Sequence, residues 1–202
     1  MSSEMYLSLR ERFDRLLRVM ASSRFLRMEG LGNEVPFFIC PYDPKEAEDA
    51  GEVVGLLRTQ LSQRGISVLS IDLYDLAIQL LTRRGIFPKV LEVESDITKG
   101  ELKELLQNVL DPEAHLIPAI AEKMQEDEFQ ILFITGVGEV YPYIRSHNVL
   151  NNLQHAAKGH PTVMFFPGKY THSPEGGTSL KLFGQLQDDR YYRAFNIDHY
   201  QL

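Results

Sequence analysis

Cysteine is nearly absent. Cys40 is the only one in 202 residues, which excludes an internal disulfide and any multi-cysteine zinc site, and fits a reducing compartment. Long apolar runs are missing as well: the longest are strand-sized, so no membrane-spanning segment is predicted. No signal peptide is expected within Met1–Met20, because Arg10, Arg12, Arg15 and Arg18 interrupt any apolar stretch. Positive charge is in deficit. Against 28 Asp and Glu stand 21 Lys and Arg, and a formal net charge of −7 argues against a protein whose main work is neutralising nucleic-acid phosphates. What is present is ordinary: 44% apolar and 24% charged residues, the composition of a folded globule rather than a disordered or fibrous chain. At roughly 100–200 residues per domain, the length predicts a single domain over residues 1–202. A cytoplasmic setting is expected.

The charge is unevenly placed. Residues 43–54 hold five acids against Lys45, and residues 111–128 hold six against Lys123, whereas residues 139–202 hold six basic and five acidic side chains. That last segment could therefore meet a partner without strong repulsion.

Leu9, Phe13, Leu16, Leu17 and Met20 recur at spacings of three and four, predicting an amphipathic helix at about 5–21 with its arginines mostly outward. After Gly30 and Gly32, Val35–Cys40 is a continuous apolar run, the mark of a strand covered on both faces. Asp43–Pro44–Lys45–Glu46 then gives a helix start, with the helix running to about Arg64 and Gly65 ending it. Ile66–Ile71 reads as the second strand, with Asp72 capping a helix that closes at Gly85. Residues 86–97 are ambiguous, and Lys89–Val93 reads as a short edge strand or a loop. Thr98–Lys99–Gly100–Glu101 is a capping box, and Asp111–Pro112 restarts a helix through Met124. Strands follow at Phe129–Ile134 and Pro161–Phe166, separated by a helical stretch around Pro142–Ala157. Gly168–Thr178 reads as a loop, Ser179–Phe183 as a short helix and Tyr191–Ile197 as a fifth, edge strand. Apolar strands alternating with capped helices predict an α/β three-layer sandwich: a mostly parallel sheet of about five strands with helices on both faces.

In such sheets ligands bind beyond the carboxyl ends of the strands. A P-loop would place G-x-x-x-x-G-K-[ST] after the first strand, with backbone amides cradling phosphate. Here stands Pro41–Tyr42–Asp43–Pro44, in which proline removes donors and Asp43 repels an anion at the helix start. The layout resembles a nucleotide-binding fold without its P-loop. Gly136 and Gly138 follow a strand in a G-x-G-x-x pattern, but Tyr141 replaces the third glycine and Glu139 adds negative charge, so a tight turn is expected. No histidine spacing suits a metal, and Cys40 reads as a small buried hydrophobe. Neither a catalytic constellation nor a cofactor or metal site is predicted.

The block around Glu139, Tyr141, Tyr143, Arg145, His147, Asn148, Asn151 and Asn152 concentrates the residue types that anchor interfaces, and with Arg190 it forms the candidate partner-binding set. The plainer alternative is that Arg145 pairs with Glu139 while the asparagines cap helix breaks.

The segments Ile131–Leu153, Pro161–Gly168 and Ser179–Phe195, with Phe25–Leu31 and Val35–Pro44, resemble the BrxB family of bacterial BREX bacteriophage-exclusion systems. The resemblance covers nearly the whole chain. It implies a cytoplasmic phage-defence subunit working beside a DNA methyltransferase, a large ATPase and PglZ, an alkaline-phosphatase-like protein. It also implies a non-catalytic adapter or scaffold whose most direct contact is PglZ, and it carries over no catalytic residue. The alternatives are a degenerate nucleotide-binding subunit and a DNA-binding accessory using the N-terminal arginines with Arg190 and Arg193.

Overall fold

The computed structural model describes residues 7–29, 36–154, 156–173, 177–188 and 194–202. The core is a parallel sheet of β1 (Phe37–Tyr42), β2 (Val68–Asp72), β3 (Ile131–Thr135), the first half of β4 (Thr162–Ser173) and β7 (Phe195–Asn196), in the order β2-β3-β4-β1-β7. From Gly168 onward β4 leaves this sheet and pairs antiparallel with β5 (Gly177–Leu182), which pairs in turn with β6 (Leu186–Asp188).

Successive strand residues point to opposite faces, and each face has its own core. On one side Phe38, Cys40, Phe133, Val163 and Phe165 pack with α1 (Leu9–Met20), α3 (Ala47–Gln63) and the C-terminal Ile197 and Tyr200. On the other, Phe37, Ile39, Leu132, Ile134, Met164 and Phe166 meet α4 (Leu73–Arg83), α7 (Ile117–Glu126) and α8 (Ser146–Leu153). Both faces are covered, which is why β1 and β3 are apolar up to their last residues, Tyr42 and Thr135. A four-residue α2 (Ser23–Leu26) follows α1, while α5 (Phe87–Glu94) and α6 (Lys99–Val109) lie outermost on the second face.

The predicted three-layer α/β sandwich is thus observed, and several local starts behave as the residues require. Asp72 accepts hydrogen bonds from the amides of Tyr74 and Asp75, and Thr98 with Glu101 closes a reciprocal capping box. Gly65 and Gly85 end α3 and α4 at positive φ. At Asp43 only half of the expected box forms: its carboxylate accepts from the Lys45 amide, and a 3-10 turn (Pro44–Glu46) precedes α3.

Elsewhere the structure corrects the sequence. Lys89–Val93 belongs to α5, neither strand nor loop, because Pro88 suits a first helical turn while Ile86, Phe87 and Val90 meet the core at helical spacing. The helix expected over Ser179–Phe183 is instead the end of strand β5 followed by a turn at Phe183: Leu180 and Leu182 are buried with Lys181 between them, a period of two. Of the expected Gly168–Thr178 loop, residues 168–173 are instead the second half of β4 and 177–178 the start of β5, while 174–176 lie outside the described residues. The helix expected over Pro142–Ala157 shrinks to α8, since residues 137–143 turn and Arg145 is extended at φ −106°. Asp111–Pro112 opens a π-helical turn, Pro112–Leu116, before α7. The fifth strand is the short β7 at the edge; Tyr191, Tyr192, Arg193, the Gly30–Gly32 loop and the first residues of the 5–21 helix lie outside the described residues.

The chain leaves β1 for the far β2 edge through α3, and leaves β3 for the adjacent β4 through α8 on the opposite face. Connections that diverge in this way open a crevice beyond the carboxyl ends of β1 and its neighbours.

Candidate functional site

At this crevice the end of β1 offers no phosphate cradle. Proline occupies positions 41 and 44, the Pro41 carbonyl accepts from the Arg12 guanidinium, and the Asp43 carboxylate holds the Lys45 amide at 3.0 Å. Beside it the carboxylates of Asp72, Asp75 and Glu139 gather. The Glu139 carboxyl is pushed up, first by lost hydration and then by Asp72 and Asp75. The Tyr42 phenol rises to about 12 through burial, reinforced by Glu139, Cys40 and Asp72. A phosphate brought here would meet negative charge and few free amides.

Asp72 fixes this end of the sheet. Its Oδ1 caps α4, while its Oδ2 accepts from the Thr135 hydroxyl at 2.8 Å, tying β2 to β3. Gly136 turns away at φ +71°, and a Cβ there would lie 2.7–2.9 Å from the Asp72 carboxylate. The first glycine of the G-x-G pattern therefore serves a turn around a capping acid. Gly138 lets the β5–β6 tip settle on that turn, since a Cβ would come within 2.9 Å of Pro167 and 3.2 Å of the Phe183 ring.

Above the turn is a half-enclosed cavity of about 200 Å³ lined by Val137, Tyr141, Ile144, Arg145, Ser146 and Phe166 from the body, and by Leu180, Leu182, Gln185 and Leu186 from the hairpin. Phe183 and Leu186 stay 40% and 41% exposed beside it, and the rings of Tyr141 and Phe183 meet edge to face at 6.3 Å. Arg145 is exposed, and among the described residues its guanidinium has neither ion pair nor hydrogen bond, so the expected alternative of a pair with Glu139 does not form.

Of the candidate set, Tyr141 and Arg145 line the cavity together. Glu139 belongs to the acidic side, and the Tyr143 hydroxyl donates to the Glu139 carbonyl at 3.2 Å, its phenol raised by burial, Tyr74 and Glu139. His147 is buried inside α8 instead of facing a partner. The Asn148 carbonyl accepts from the Asn152 side chain at 2.8 Å, and Asn151 is exposed on α8 away from the cavity lining. Arg190 lies outside the described residues. Sequence reasoning missed Ser146, Phe183, Gln185 and Leu186. A period-two reading of Leu180–Leu182 running into Phe183–Gly184 would have placed an exposed aromatic at a hairpin tip.

The N-terminal arginines are engaged within the chain. Arg10 pairs with Glu52 at 2.7 Å, Arg12 is buried against Asp198, an exception to the mostly outward placement expected of these arginines, and Arg15 donates to the Asp198 and Tyr200 carbonyls. Cys40 is fully buried, its thiol pushed up to about 12 by desolvation. Among the described residues no group of His, Cys, Asp and Glu could hold a metal, and no helix is long and apolar enough to cross a membrane.

Fold and crevice together define a doubly wound α/β protein with the layout of a nucleotide-binding sheet, but with acids and prolines where phosphate would sit. Residues 69–197 match the family model described as BREX protein BrxB. A BREX protein BrxB of Bacillus cereus (strain H3081.97) is 35% identical over 192 residues, 93% of this chain and 96% of that protein. One of Escherichia coli O9:H4 (strain HS) is 28% identical over 174 residues, 86% and 84% of the two chains. No solved structure matches. The chain belongs to the BrxB family of BREX proteins, which places it among phage-defence components.

Proposed function

We propose that this chain is a non-catalytic adapter of a BREX system, docking another subunit on the face built by residues 137–146 and the β5–β6 tip. The observation that carries this reading is the Arg145 guanidinium, without a partner among the described residues, beside exposed Phe183 and Leu186. A cation with no partner among the described residues, rimming apolar side chains left open to water, has the composition of an interface hot spot. The acidic crevice beside it speaks against nucleotide chemistry, and the engaged N-terminal arginines speak against a DNA-binding arm. PglZ is the partner proposed first, with the BREX ATPase and methyltransferase next, in the cytoplasm where those subunits would act. Co-purification tests this: Arg145→Glu and Phe183→Ser should each reduce capture of PglZ while leaving the thermal unfolding midpoint unchanged. Undiminished capture by both variants would exclude this face.

A further inference from the structure

The cavity beneath that face has a polarity of its own. Its polar end is the start of α8, where Arg145 stands at the N-cap position without a side-chain cap and its guanidinium is free among the described residues. Ser146, the first residue of that eight-residue helix, is only 9% exposed and lines the cavity, yet no hydrogen-bond partner for its hydroxyl is found among the described residues. The residue is nine-tenths buried, yet its hydroxyl oxygen is not among the buried atoms left without a partner: it opens on the cavity, where it can exchange water for a ligand acceptor. A helix start, a guanidinium and a hydroxyl on adjacent residues of one cavity lining favour an anion. Apart from Tyr141 and Gln185 the rest of the lining is apolar: Val137, Ile144, Phe166, Leu180, Leu182 and Leu186.

The occupant must therefore carry a negative charge and an apolar body into about 200 Å³. Drug-sized ligands and nucleotides use roughly 300–1,000 Å³, so the space suits about one residue. Within an extended chain, neighbouring side chains point to opposite faces, so an acid next to an apolar residue would not bring both groups into one small cavity. At a carboxyl terminus both groups branch from a single Cα. We propose that this cavity captures the C-terminal residue of a partner polypeptide, an apolar residue whose carboxylate docks on Arg145, Ser146 and the start of α8. This rests on the docking reading above and names the chemistry that the face recognises.

The test titrates the isotope-labelled full chain with acetyl-Gly-Ser-Gly-Leu as the free acid, the same peptide as its C-terminal amide, acetyl-Gly-Ser-Gly-Gly as the free acid, and sodium phosphate. The leucine acid should bind about tenfold or more tighter than each control, moving the amide signals of Ser146 and Leu186. Arg145→Gln should bring it down to the level of its amide, and Ser146→Ala should weaken it several-fold, with the remaining spectrum unchanged in both. Equal binding of acid and amide, equal binding of phosphate, shifts confined to another face, self-association through the same signals, or no shift at the solubility limit would each overturn the proposal. Loss of PglZ capture in Arg145→Glu without any acid preference would sink the chain-terminus inference and leave the docking face standing. An acid preference with undiminished capture would do the reverse.

Discussion

Replacing Gly136 by alanine perturbs the turn that carries the whole 137–146 segment, and the structure sets the size of the effect. The residue sits at φ +71°, where an L side chain costs about 1–2 kcal/mol. The new Cβ would also stand 2.7–2.9 Å from the Asp72 carboxylate, which caps α4 and bonds Thr135. Pushing that carboxylate aside forfeits a cap and a partly buried hydrogen bond, about 1 kcal/mol each. Gly136→Ala should therefore destabilise the chain by about 3–4 kcal/mol in urea unfolding, with the m-value unchanged. Asp72→Ala alone removes the same cap and bond. In that background the obstruction is gone, so adding Gly136→Ala should cost only the conformational part, about 1–2 kcal/mol, and the two changes together should cost less than their sum. Additivity within about 0.5 kcal/mol, or a single-variant cost below that, would refute the view that Gly136 exists to turn around Asp72.

Three further outcomes follow from contacts outside the site. Arg12→Met leaves Asp198 largely buried without its ion-pair partner and should cost about 3–5 kcal/mol, while Arg12→Met with Asp198→Asn should recover part of that loss; a near-neutral single variant in urea unfolding would contradict the pair's burial. Cys40 should resist a thiol reagent at pH 8 in the native chain and react once unfolded, and fast native labelling would contradict its placement. Both the Cys40 thiol and the Tyr42 phenol are held near 12, above ordinary values of 9 and 10, so between those values the native state keeps protons that the unfolded chain releases. Stability should therefore be insensitive to these two groups below pH 9 and fall as pH rises from 9 towards 12; a rise over that interval in pH-dependent unfolding would be the wrong sign.

The sequence made the scaffold legible where chemistry is local. Caps at Asp72 and Thr98, glycine stops at 65 and 85, and the apolar runs of β1 and β3 follow from neighbouring residues alone. It misled where distant pairing decides: Ser179–Leu182 becomes a strand only because the second half of β4 runs alongside it, a partner that local spacing does not reveal. The site divides in the same way. Tyr141 and Arg145 could be picked out by residue type, but the side chains completing their surface, Phe183 and Leu186, arrive on that hairpin. His147 has an interface-like identity and is buried, because its place on α8 turns it to the core. Arg12 meets Asp198 across 186 positions, a separation at which no motif signals contact.

The central claim is that a BREX partner docks on the carboxyl-end face beside Arg145. Hydrogen exchange of the full chain, alone and mixed with PglZ, tests it most directly. Protection should concentrate in residues 137–147 and 180–186 and vanish with Arg145→Glu. Protection confined to the α1–α3 face, or none at concentrations where the two proteins co-purify, would contradict the account.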